Sequence, residues 1–267
     1  MVAPGENVTT QVERLYEELG WTMIGADTYD AQTWEDLRPS SATYVAGCRR
    51  RISRHLPASG DRLLDMASGP IQYAEYLEYS AHFTTRVCVD LSRRALDMAE
   101  AKIGVRGEYH HGDFLDLTIA QVDAAISLHT IYHIDQTRQE AAVRKLLAVV
   151  KPGGTVIIIY SNPHNLVSLA FAPVKAVRRL LRTGRGITTP DAIYFRPFPL
   201  GWWRRFEDVA QVSILPWRTF GAKAQKYLIP GGALGTWLLA TLFRLEDRFP
   251  RFFARAGVYP MIVMRRR

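Results

Sequence analysis

Short apolar segments alternate with helical segments between residues 61 and 160, and this alternation constrains the fold more than any other feature. Strands are predicted at 61–66, 85–91, 108–111, 122–128 and 155–160. Helices are predicted after the first strand to about residue 79, over 92–104 and over about 136–150. Buried strands separated by helices indicate a parallel sheet that is covered on both faces. Right-handed crossovers then place every loop that follows a strand at one edge, where such sheets bind ligands.

The remaining segments extend this pattern to a seven-stranded, mostly parallel α/β sheet with helices on both faces. Further strands are predicted at 212–220 and 258–267, and further helices at 11–19, 42–56, 174–181, 199–209 and 234–248. Residues 152–154 are expected to form the turn before the fifth strand, and Ser92 and Gly104 to cap the two ends of their helix. We expect residues 1–60 to form a helical cap on a sheet domain, 61–267, with insertions after strands five and six at about 162–200 and 221–257.

The charge of the chain is uneven, although its net value is only +8. Residues 1–36 hold eight acidic side chains against a single arginine. Residues 175–226 hold eleven lysines and arginines against three acidic residues. A basic segment of this kind suits an anionic small molecule, a lipid headgroup or nucleic acid, or it forms a solvated surface. The segment lacks the signature of a recognisable nucleic-acid-binding module, so we expect no nucleic-acid partner.

Several classes of protein are disfavoured by the composition. No apolar stretch approaches the roughly 20 residues of a membrane-spanning helix. The first ten residues, MVAPGENVTT, contain neither the basic nor the apolar part of a secretory signal. The two cysteines form no pattern typical of a disulfide framework or a zinc site. A location in the reducing cytoplasm is therefore expected.

Acidic residues followed by small residues mark the ends of the first predicted strands. The segment LLDMASGP places Asp65 at the end of the first strand, before Ala67, Ser68 and Gly69. Glycine adopts dihedral angles closed to other residues, and free amides at the start of the next helix suit a polar or anionic ligand group. Asp90 ends the second strand, where a carboxylate can accept hydrogen bonds from both hydroxyls of a ribose.

The next two strands end in polar groups as well. Asp113 follows the third strand, where a carboxylate can bind an adenine amino group. The segment SLHTIYHI follows the fourth strand and brings two histidines and a tyrosine to the same edge. Each of these residues alone can be a helix cap, a turn residue or a packed side chain. Their order and spacing together indicate a site for a ligand that contains ribose and adenine.

These segments, together with VVKPGGTVIII at 149–159, resemble the class I S-adenosylmethionine-dependent methyltransferases, especially the small-molecule branch related to quinone-biosynthesis methyltransferases. The resemblance covers residues 61–160. It implies a Rossmann-like fold, S-adenosylmethionine as the cofactor and a small-molecule acceptor. It also implies that the N-terminal segment forms a lid over the cofactor.

The resemblance assigns a role to each residue at the strand ends. Asp65 and the loop Ala67–Gly69, which includes Ser68, would hold the amino-acid part of the cofactor. Asp90 would bind the ribose, and Leu91 would pack on the adenine. Asp113 and Phe114 would hold the adenine edge. Leu128 and His129 would line the floor beneath the sulfonium.

The first loop departs from the pattern of this family, which has glycine at three alternate positions. Those positions hold Ala67, Gly69 and Ile71 in this chain, and Ala67 is a small change. A dehydrogenase would require the full glycine fingerprint and has no place for the KPGG turn, so that class is rejected.

Methyl transfer to oxygen requires the removal of a proton, for which an imidazole is suited near neutral pH. His133 lies where several small-molecule O-methyltransferases of this family carry a catalytic histidine; a structural role is the alternative. His129, four residues earlier, would share a helical face with His133 and is expected to line the cofactor pocket rather than to act as the base. Tyr132 is expected either to orient the acceptor hydroxyl or to pack in the interior. Tyr160 stands where some relatives carry an acid, so no catalytic metal is expected.

The acceptor pocket of this family is built from the N-terminal segment and the insertions, which are here residues 10–40, 162–200 and 221–257. These segments are rich in aromatic residues and arginines, which suit a sugar, polyketide or glycolipid with some negative charge. The first hypothesis is O-methylation of a glycan, glycolipid or secondary metabolite. The alternatives are N- or C-methylation of a quinone-like or amine acceptor, and a non-catalytic protein that binds the cofactor or a membrane surface. The apolar face of residues 234–243 can be buried within the chain, in a dimer or by peripheral contact with a bilayer.

Overall fold

The computed structural model describes residues 7–170 and 193–267 of the protein. The strands within these residues are β1 (Met23–Ile24), β2 (Asp27–Thr28), β3 (Gly60–Met66), β4 (Phe83–Asp90), β5 (Gly107–His111), β6 (Val122–Leu128), β7 (Val150–Ile159), β8 (Ala210–Arg218) and β9 (Tyr259–Arg266). The α-helices are α1 (Val8–Leu15), α2 (Tyr29–Trp34), α3 (Pro39–Arg50), α4 (Ala74–Glu78), α5 (Arg93–Ile103), α6 (Gln139–Val149), α7 (Leu166–Ala170), α8 (Ala222–Leu228), α9 (Gly232–Arg248) and α10 (Pro250–Ala256).

Strands β3 to β9 form one seven-stranded sheet in the order β5–β4–β3–β6–β7–β9–β8. The strands from β5 to β7 in this order are parallel, and β9 runs antiparallel between β7 and β8. The predicted seven-stranded, mostly parallel sheet is confirmed. Because the chain order reverses between β3 and β6, the carboxyl ends of these two strands border the crevice where open α/β sheets bind ligands.

Helices cover both faces of the sheet. One face is covered by α6 and the segment 200–206, which contribute the buried side chains of Leu146 and Trp203. The other face is covered by α3 and α9, which contribute Tyr44 and Leu239. Burial from both sides explains why the central strands are nearly continuous apolar runs. Within the described ranges, none of the helices has the length and apolar character needed to cross a membrane.

The structure corrects the predicted form of several elements. The helix after the first loop is limited to α4, because the backbone at Ile71 is still in the left-handed region, with φ of +48°. Residues 152–154 lie within β7 and do not form a turn before it. The pairing of β7 with β6 shifts register at these residues. The segment Leu200–Phe206 is a 3₁₀-helix and not an α-helix. The predicted helix at 174–181 lies outside the described residues, and the β1–β2 hairpin, α8 and α10 were not predicted.

Helix α5 confirms both of its predicted caps. The hydroxyl of Ser92 accepts a hydrogen bond from the backbone N–H of Ala95 at 3.1 Å, which satisfies a free amide of the first turn. Gly104 ends the helix with φ of +63°, a conformation that favours glycine. The local sequence therefore determines where this helix begins and ends.

Candidate active site

The loop after β3 keeps the backbone shape of a glycine-rich loop although it has only one of the three glycines. Ala67, Gly69 and Ile71 have φ angles of +58°, +55° and +48°. This region is favourable for glycine and rarely occupied by a β-branched residue. Ile71 is held there by its side chain, which is buried in a cluster with Cys88 and Leu96. The turn that brings the backbone toward a ligand is therefore retained.

Asp90 lies at the end of β4 with its carboxylate directed at this loop. One carboxylate oxygen accepts the N–H of Gly69 at 2.8 Å, and the other accepts the N–H of Ser92 at 2.8 Å. Burial raises the pKa of Asp90 to about 6, against the lowering effect of these two hydrogen bonds. Each oxygen keeps a second lone pair, so the group can still accept hydrogen bonds from two adjacent hydroxyls.

The other two acids at the strand ends are bound to arginines. Asp65 is buried and paired with Arg86, whose Nε lies 3.1 Å from the carboxylate. Asp113 accepts a hydrogen bond from Arg138 at 2.9 Å, and its side chain is partly exposed. Asp65 can therefore act on a ligand only through Arg86, which it holds in place. The carboxylate of Asp113, in contrast, is accessible to a ligand. Sequence reasoning did not identify either arginine as a partner.

Two apolar residues of the predicted cofactor site lie in different surroundings. The ring of Phe114 is buried in the core under the sheet, so only its main chain lies at the edge. Leu91 is half-buried, and its carbonyl oxygen accepts a hydrogen bond from Nε2 of His111 at 2.9 Å. Leu128 is half-buried at the end of β6. Leu91 and Leu128 can thus present apolar surface at the edge, and the Phe114 ring cannot.

The described N-terminal segment, residues 7–38, lies over the loop and Asp90 and is called the lid below. Tyr16 and Trp21 stack with ring centroids 5.2 Å apart, and a methyl group on Gly69 would lie 3.1 Å from the Trp21 ring. The carboxylate of Glu17 accepts hydrogen bonds from the Ser92 hydroxyl and, at 3.4 Å, from the backbone of Arg94. Burial, with the nearby charges of Asp30 and Asp90, raises the pKa of Tyr16. These contacts place the segment at the predicted cofactor edge.

The two histidines after β6 do not share a helical face, so that prediction is wrong. His129 has φ of +60° and precedes the 3₁₀ turn Ile131–His133. Its ring packs against Trp217 and Tyr259, with centroids 4.8 and 5.0 Å away, and its Nδ1 lies 3.0 Å from the Tyr132 hydroxyl. Burial lowers the pKa of His129 to about 3, so this imidazole is neutral and poorly basic.

His133 is oriented by a main-chain carbonyl. Its Nδ1 lies 2.7 Å from the carbonyl oxygen of Tyr194, an acceptor, so Nδ1 carries the proton and Nε2 carries the lone pair. Within the described ranges Nε2 has no hydrogen-bond partner. Burial lowers the pKa of His133 to about 4, and this hydrogen bond opposes the shift. The imidazole is therefore neutral at physiological pH, with one nitrogen able to accept a proton.

The tyrosines near these histidines are packed in the interior. The ring of Tyr132 is buried between His133 and Phe195, at centroid distances of 4.5 and 4.9 Å. The hydroxyl of Tyr160 accepts the N–H of Phe198 at 2.8 Å and donates to Gln139 at 3.2 Å. Tyr160 thus anchors the chain that returns to the sheet. Among residues 7–170 and 193–267, no three or more histidine, cysteine or acidic side chains are grouped so that they could hold a metal ion.

Several charged residues near the site were missed by the sequence reasoning. Glu35 accepts hydrogen bonds from Arg218 at 2.7 Å and from Arg49 at 2.9 Å, and all three are buried. Asp30 lies near Glu35, and burial together with that charge raises the pKa of Asp30 to about 6. The charge of Asp30 also contributes to raising the pKa of Tyr132, so the acid lies within electrostatic range of the tyrosine that contacts both histidines. The acidic run in residues 1–36 was the only signal, and it does not reveal which acids are buried.

A groove of about 480 Å³ opens beside this charged cluster. Its lining comes from the lid, α3 and α4, and includes Asp27, Leu37, Arg38, Arg49 and Tyr73. The guanidinium of Arg49 lies 3.3 Å from the centroid of the Tyr73 ring. The groove therefore offers charged and aromatic groups beside the segment that follows the loop after β3.

Comparison with known proteins agrees with this fold. Residues 64–158 match the model of a methyltransferase domain. The structure of the N-methyltransferase NodS from Bradyrhizobium japonicum WM9 with S-adenosyl-L-homocysteine is similar over 98% of this chain and 99% of that chain, with 12% identity and a TM-score of 0.56. The DhpI–SAH complex is similar over 97% of both chains, with 15% identity and a TM-score of 0.57. No curated protein sequence matches the chain.

A third solved structure is the putative methyltransferase in complex with the Trm112 methyltransferase activator from Haloferax volcanii. It is similar over 85% of this chain and 91% of that chain, with 16% identity and a TM-score of 0.53. At such identities these likenesses show the fold, and the domain match adds the class. The domain match over residues 64–158, together with the fold, identifies a class I methyltransferase. The chain is an S-adenosylmethionine-dependent methyltransferase, and S-adenosylmethionine is its cofactor.

Proposed function

We propose that this enzyme transfers the methyl group to a hydroxyl of a small-molecule acceptor, with His133 as the general base. S-adenosylmethionine supplies a methyl group on an electrophilic sulfonium, so much of the acceleration comes from holding the acceptor in line. The observation that carries the proposal is the hydrogen bond of His133 Nδ1 to the Tyr194 carbonyl at 2.7 Å. It leaves Nε2 as the proton acceptor, and a base held by a third group is the arrangement that such catalysis requires.

The low basicity of His133 defines when the proton moves. Burial lowers the pKa of His133 to about 4, so the ring is neutral in the resting enzyme at pH 7. A hydroxyl becomes acidic only as its oxygen bonds to the methyl carbon. We therefore expect His133 to accept the proton during bond formation and not before it.

For the cofactor, the proposal assigns the ribose to Asp90 and the amino-acid part to the backbone of Ala67, Ser68 and Gly69. The bond from Gly69 N–H to Asp90, 2.8 Å long, links these two parts of the site and supports the assignment. Leu91 and the free edge of Asp113 would border the adenine, and Phe114 would contribute through its main chain. Leu128 and His129 would form the floor beneath the sulfonium. Asp65 would hold Arg86 in place.

The proposed acceptor is a glycan, a glycolipid or a secondary metabolite. The ring of Phe195, which is 45% exposed, lies beside His133 with ring centroids 5.9 Å apart, on the chain that returns to the sheet after β7. Aromatic faces of this kind bind the apolar faces of sugars and polyketides. Residues 171–192 of the predicted acceptor pocket lie outside the described part of the chain. A glycolipid acceptor would bring the enzyme into peripheral contact with a membrane.

A second candidate, N-methylation of an amine, is favoured by Asp30. Its carboxylate lies near Glu35 and has no ion-pair partner among the described residues, so it could hold an ammonium group. An amine can lose its proton to water, so this reaction would not depend on His133. The two candidates therefore predict opposite sensitivities to substitution of His133 and of Asp30.

The test is methyl transfer from isotopically labelled S-adenosylmethionine to matched hydroxyl and amine acceptors. For a hydroxyl acceptor, His133→Ala should lower kcat by about 100-fold, while affinity for S-adenosylhomocysteine is kept. His82→Ala is the matched control, because His82 is exposed at the opposite edge of the sheet. An unchanged kcat in His133→Ala would overturn the role of the base. Loss of amine methylation in Asp30→Asn alone would establish the second candidate.

A further inference from the structure

Large apolar side chains are exposed together where the lid meets the C-terminal helices. They are the apolar rim, defined as Trp34, Leu37, Tyr227, Leu228, Leu234 and Trp237. Trp34, Leu234, Trp237 and Tyr227 are 57% to 79% exposed. Monomeric proteins scatter exposed apolar residues singly, so a group of this kind indicates a surface that another body covers.

Three contacts join the elements that carry the rim. The Lys223 ammonium lies 5.4 Å from the centroid of the Trp34 ring, which links α8 to α2. The guanidinium of Arg38 donates to the carbonyl of Ile229 at 2.9 Å, at the end of α8. A methyl group on Gly235 would lie only 1.9 Å from the Pro230 carbonyl oxygen, so α9 starts tightly against the turn after α8.

Helix α9 has an outward face that mixes apolar and basic residues. Leu234, Trp237, Arg244 and Arg248 follow helical spacing and are all exposed, whereas Glu246 is buried on the inner face. Its acidic neighbour Asp247 pairs with Arg51 and Arg54. With 17 residues the helix is about 25 Å long. An exposed helix face that carries leucine, tryptophan and arginine side chains suits the boundary between lipid headgroups and acyl chains.

The charge of this region favours an anionic partner. Residues 222–256 contain six lysines and arginines against two acidic residues. Both acidic residues are bound to arginines of the chain itself, Glu246 to Arg51 at 2.7 Å and Asp247 to Arg54 at 3.2 Å. Basic side chains around exposed aromatic rings match a surface whose headgroups are negative and whose interior is apolar.

We propose that the apolar rim docks on the surface of an anionic lipid bilayer, with the outward face of α9 in the headgroup layer. Leu37 belongs both to the rim and to the lining of the groove of about 480 Å³. Docking would therefore turn the groove toward the membrane. An acceptor with a lipid tail could then enter the groove while its tail stays in the bilayer. This inference concerns the location of the enzyme and holds whichever atom is methylated.

The test is flotation of the full chain with vesicles of phosphatidylcholine alone and of phosphatidylcholine mixed with phosphatidylglycerol. The wild type should float with the mixed vesicles, and added salt should weaken this binding. The double variant Leu234→Ser/Trp237→Ser should bind about tenfold more weakly, because both side chains lose their apolar contact. Lys223→Glu/Lys226→Glu should lose the preference for the anionic lipid.

The control is Val105→Ser, because Val105 is fully exposed at the opposite edge of the sheet. Titration with S-adenosylhomocysteine checks that each variant is folded. Failure of the wild type to bind mixed vesicles, or equal binding by the Leu234→Ser/Trp237→Ser variant, would overturn the proposal. So would a dimer in light scattering that this variant dissociates, since the rim would then be covered by a second copy.

Discussion

The proposed cofactor edge, where β3 and β4 end, and the lid are held by contacts that differ in sequence separation. At the cofactor edge, Gly69 donates to Asp90 across 21 positions of the chain, and Arg86 pairs with Asp65 across 21 positions. At the lid, Glu35 reaches Arg218 across 183 positions. The first set joins two neighbouring βα units, whereas the second joins the beginning of the chain to its end.

This difference teaches where each region is vulnerable. At the edge, the parallel strands hold Asp90 in place, so its substitution is expected to remove a ligand contact and to leave the sheet intact, whereas the Asp65–Arg86 pair of the same edge is buried. The lid depends on buried charges that have no partner until the whole chain is folded. Removing one member leaves the other charge buried and uncompensated, which is costly.

The largest effect is expected from Glu35→Ala. It leaves the guanidinium of Arg218 buried without its counter-charge, so the free energy of unfolding should fall by about 3–5 kcal/mol. Urea unfolding measures the change. The control is Glu78→Ala, which breaks the exposed pair with Arg50 and should change little. Equal losses in the two variants would show that burial of the Glu35–Arg218 pair does not set its contribution.

The next effect concerns the edge. Asp90→Ala removes the carboxylate that is proposed to accept both ribose hydroxyls, so affinity for S-adenosylhomocysteine should fall about 100-fold, at about 1.5 kcal/mol for each hydrogen bond. Calorimetric titration measures it. Asp116→Ala is the control, because the Asp116 carboxylate is exposed in the loop that follows β5. Unchanged affinity in Asp90→Ala would exclude Asp90 from the ribose site.

The pH dependence of binding sharpens the same point. The pKa of Asp90 is raised by burial to about 6, so its carboxyl is ionised above this pH and protonated below it. Only the ionised form accepts hydrogen bonds at both oxygens, so affinity should fall about tenfold from pH 7 to pH 5. Titration in matched buffers tests this. Asp90→Asn cannot titrate, and a similar fall in that variant would point to another group.

The smallest effect is expected from Ala67→Gly. Relief of the left-handed backbone should stabilise the fold by about 1–2 kcal/mol. The greater freedom of glycine in the unfolded chain offsets about 0.5–1 kcal/mol of this. A net gain below about 1.5 kcal/mol in thermal or urea unfolding is therefore expected. Ala99→Gly, inside α5, should instead lose stability, and a similar loss in both variants would show that Ala67 is not strained.

Much of the fold could be predicted because its signals are local. Periodicity identified all seven strands of the main sheet, and Ser92 and Gly104 marked the ends of α5. The extent of α4 and the 3₁₀ form of Leu200–Phe206 could not be predicted. They depend on the left-handed backbone at Ile71 and on packing of Trp203 under the sheet, which are consequences of tertiary contacts.

The candidate site divides in the same way. The meeting of Asp90 with the loop Ala67–Gly69 could be predicted, because parallel strands bring their ends to one edge whatever lies around them. The orientation of His133 could not, because it depends on the carbonyl of Tyr194, which is 61 positions away. The sequence also could not show that Asp65 is paired with Arg86 or that Glu35 is buried, since burial is a property of the assembled chain.

The sequence by itself thus determined the sheet, the cofactor class and the acids at the strand ends, because apolar periodicity and strand-end position are properties of neighbouring residues. The tertiary structure alone decided which of those acids keeps free lone pairs, which histidine nitrogen accepts a proton and which aromatic residues remain exposed. These depend on distance between remote segments and on exclusion of water. Both shift the pKa of a group and the free energy of exposing a surface, and both arise only when the chain is folded.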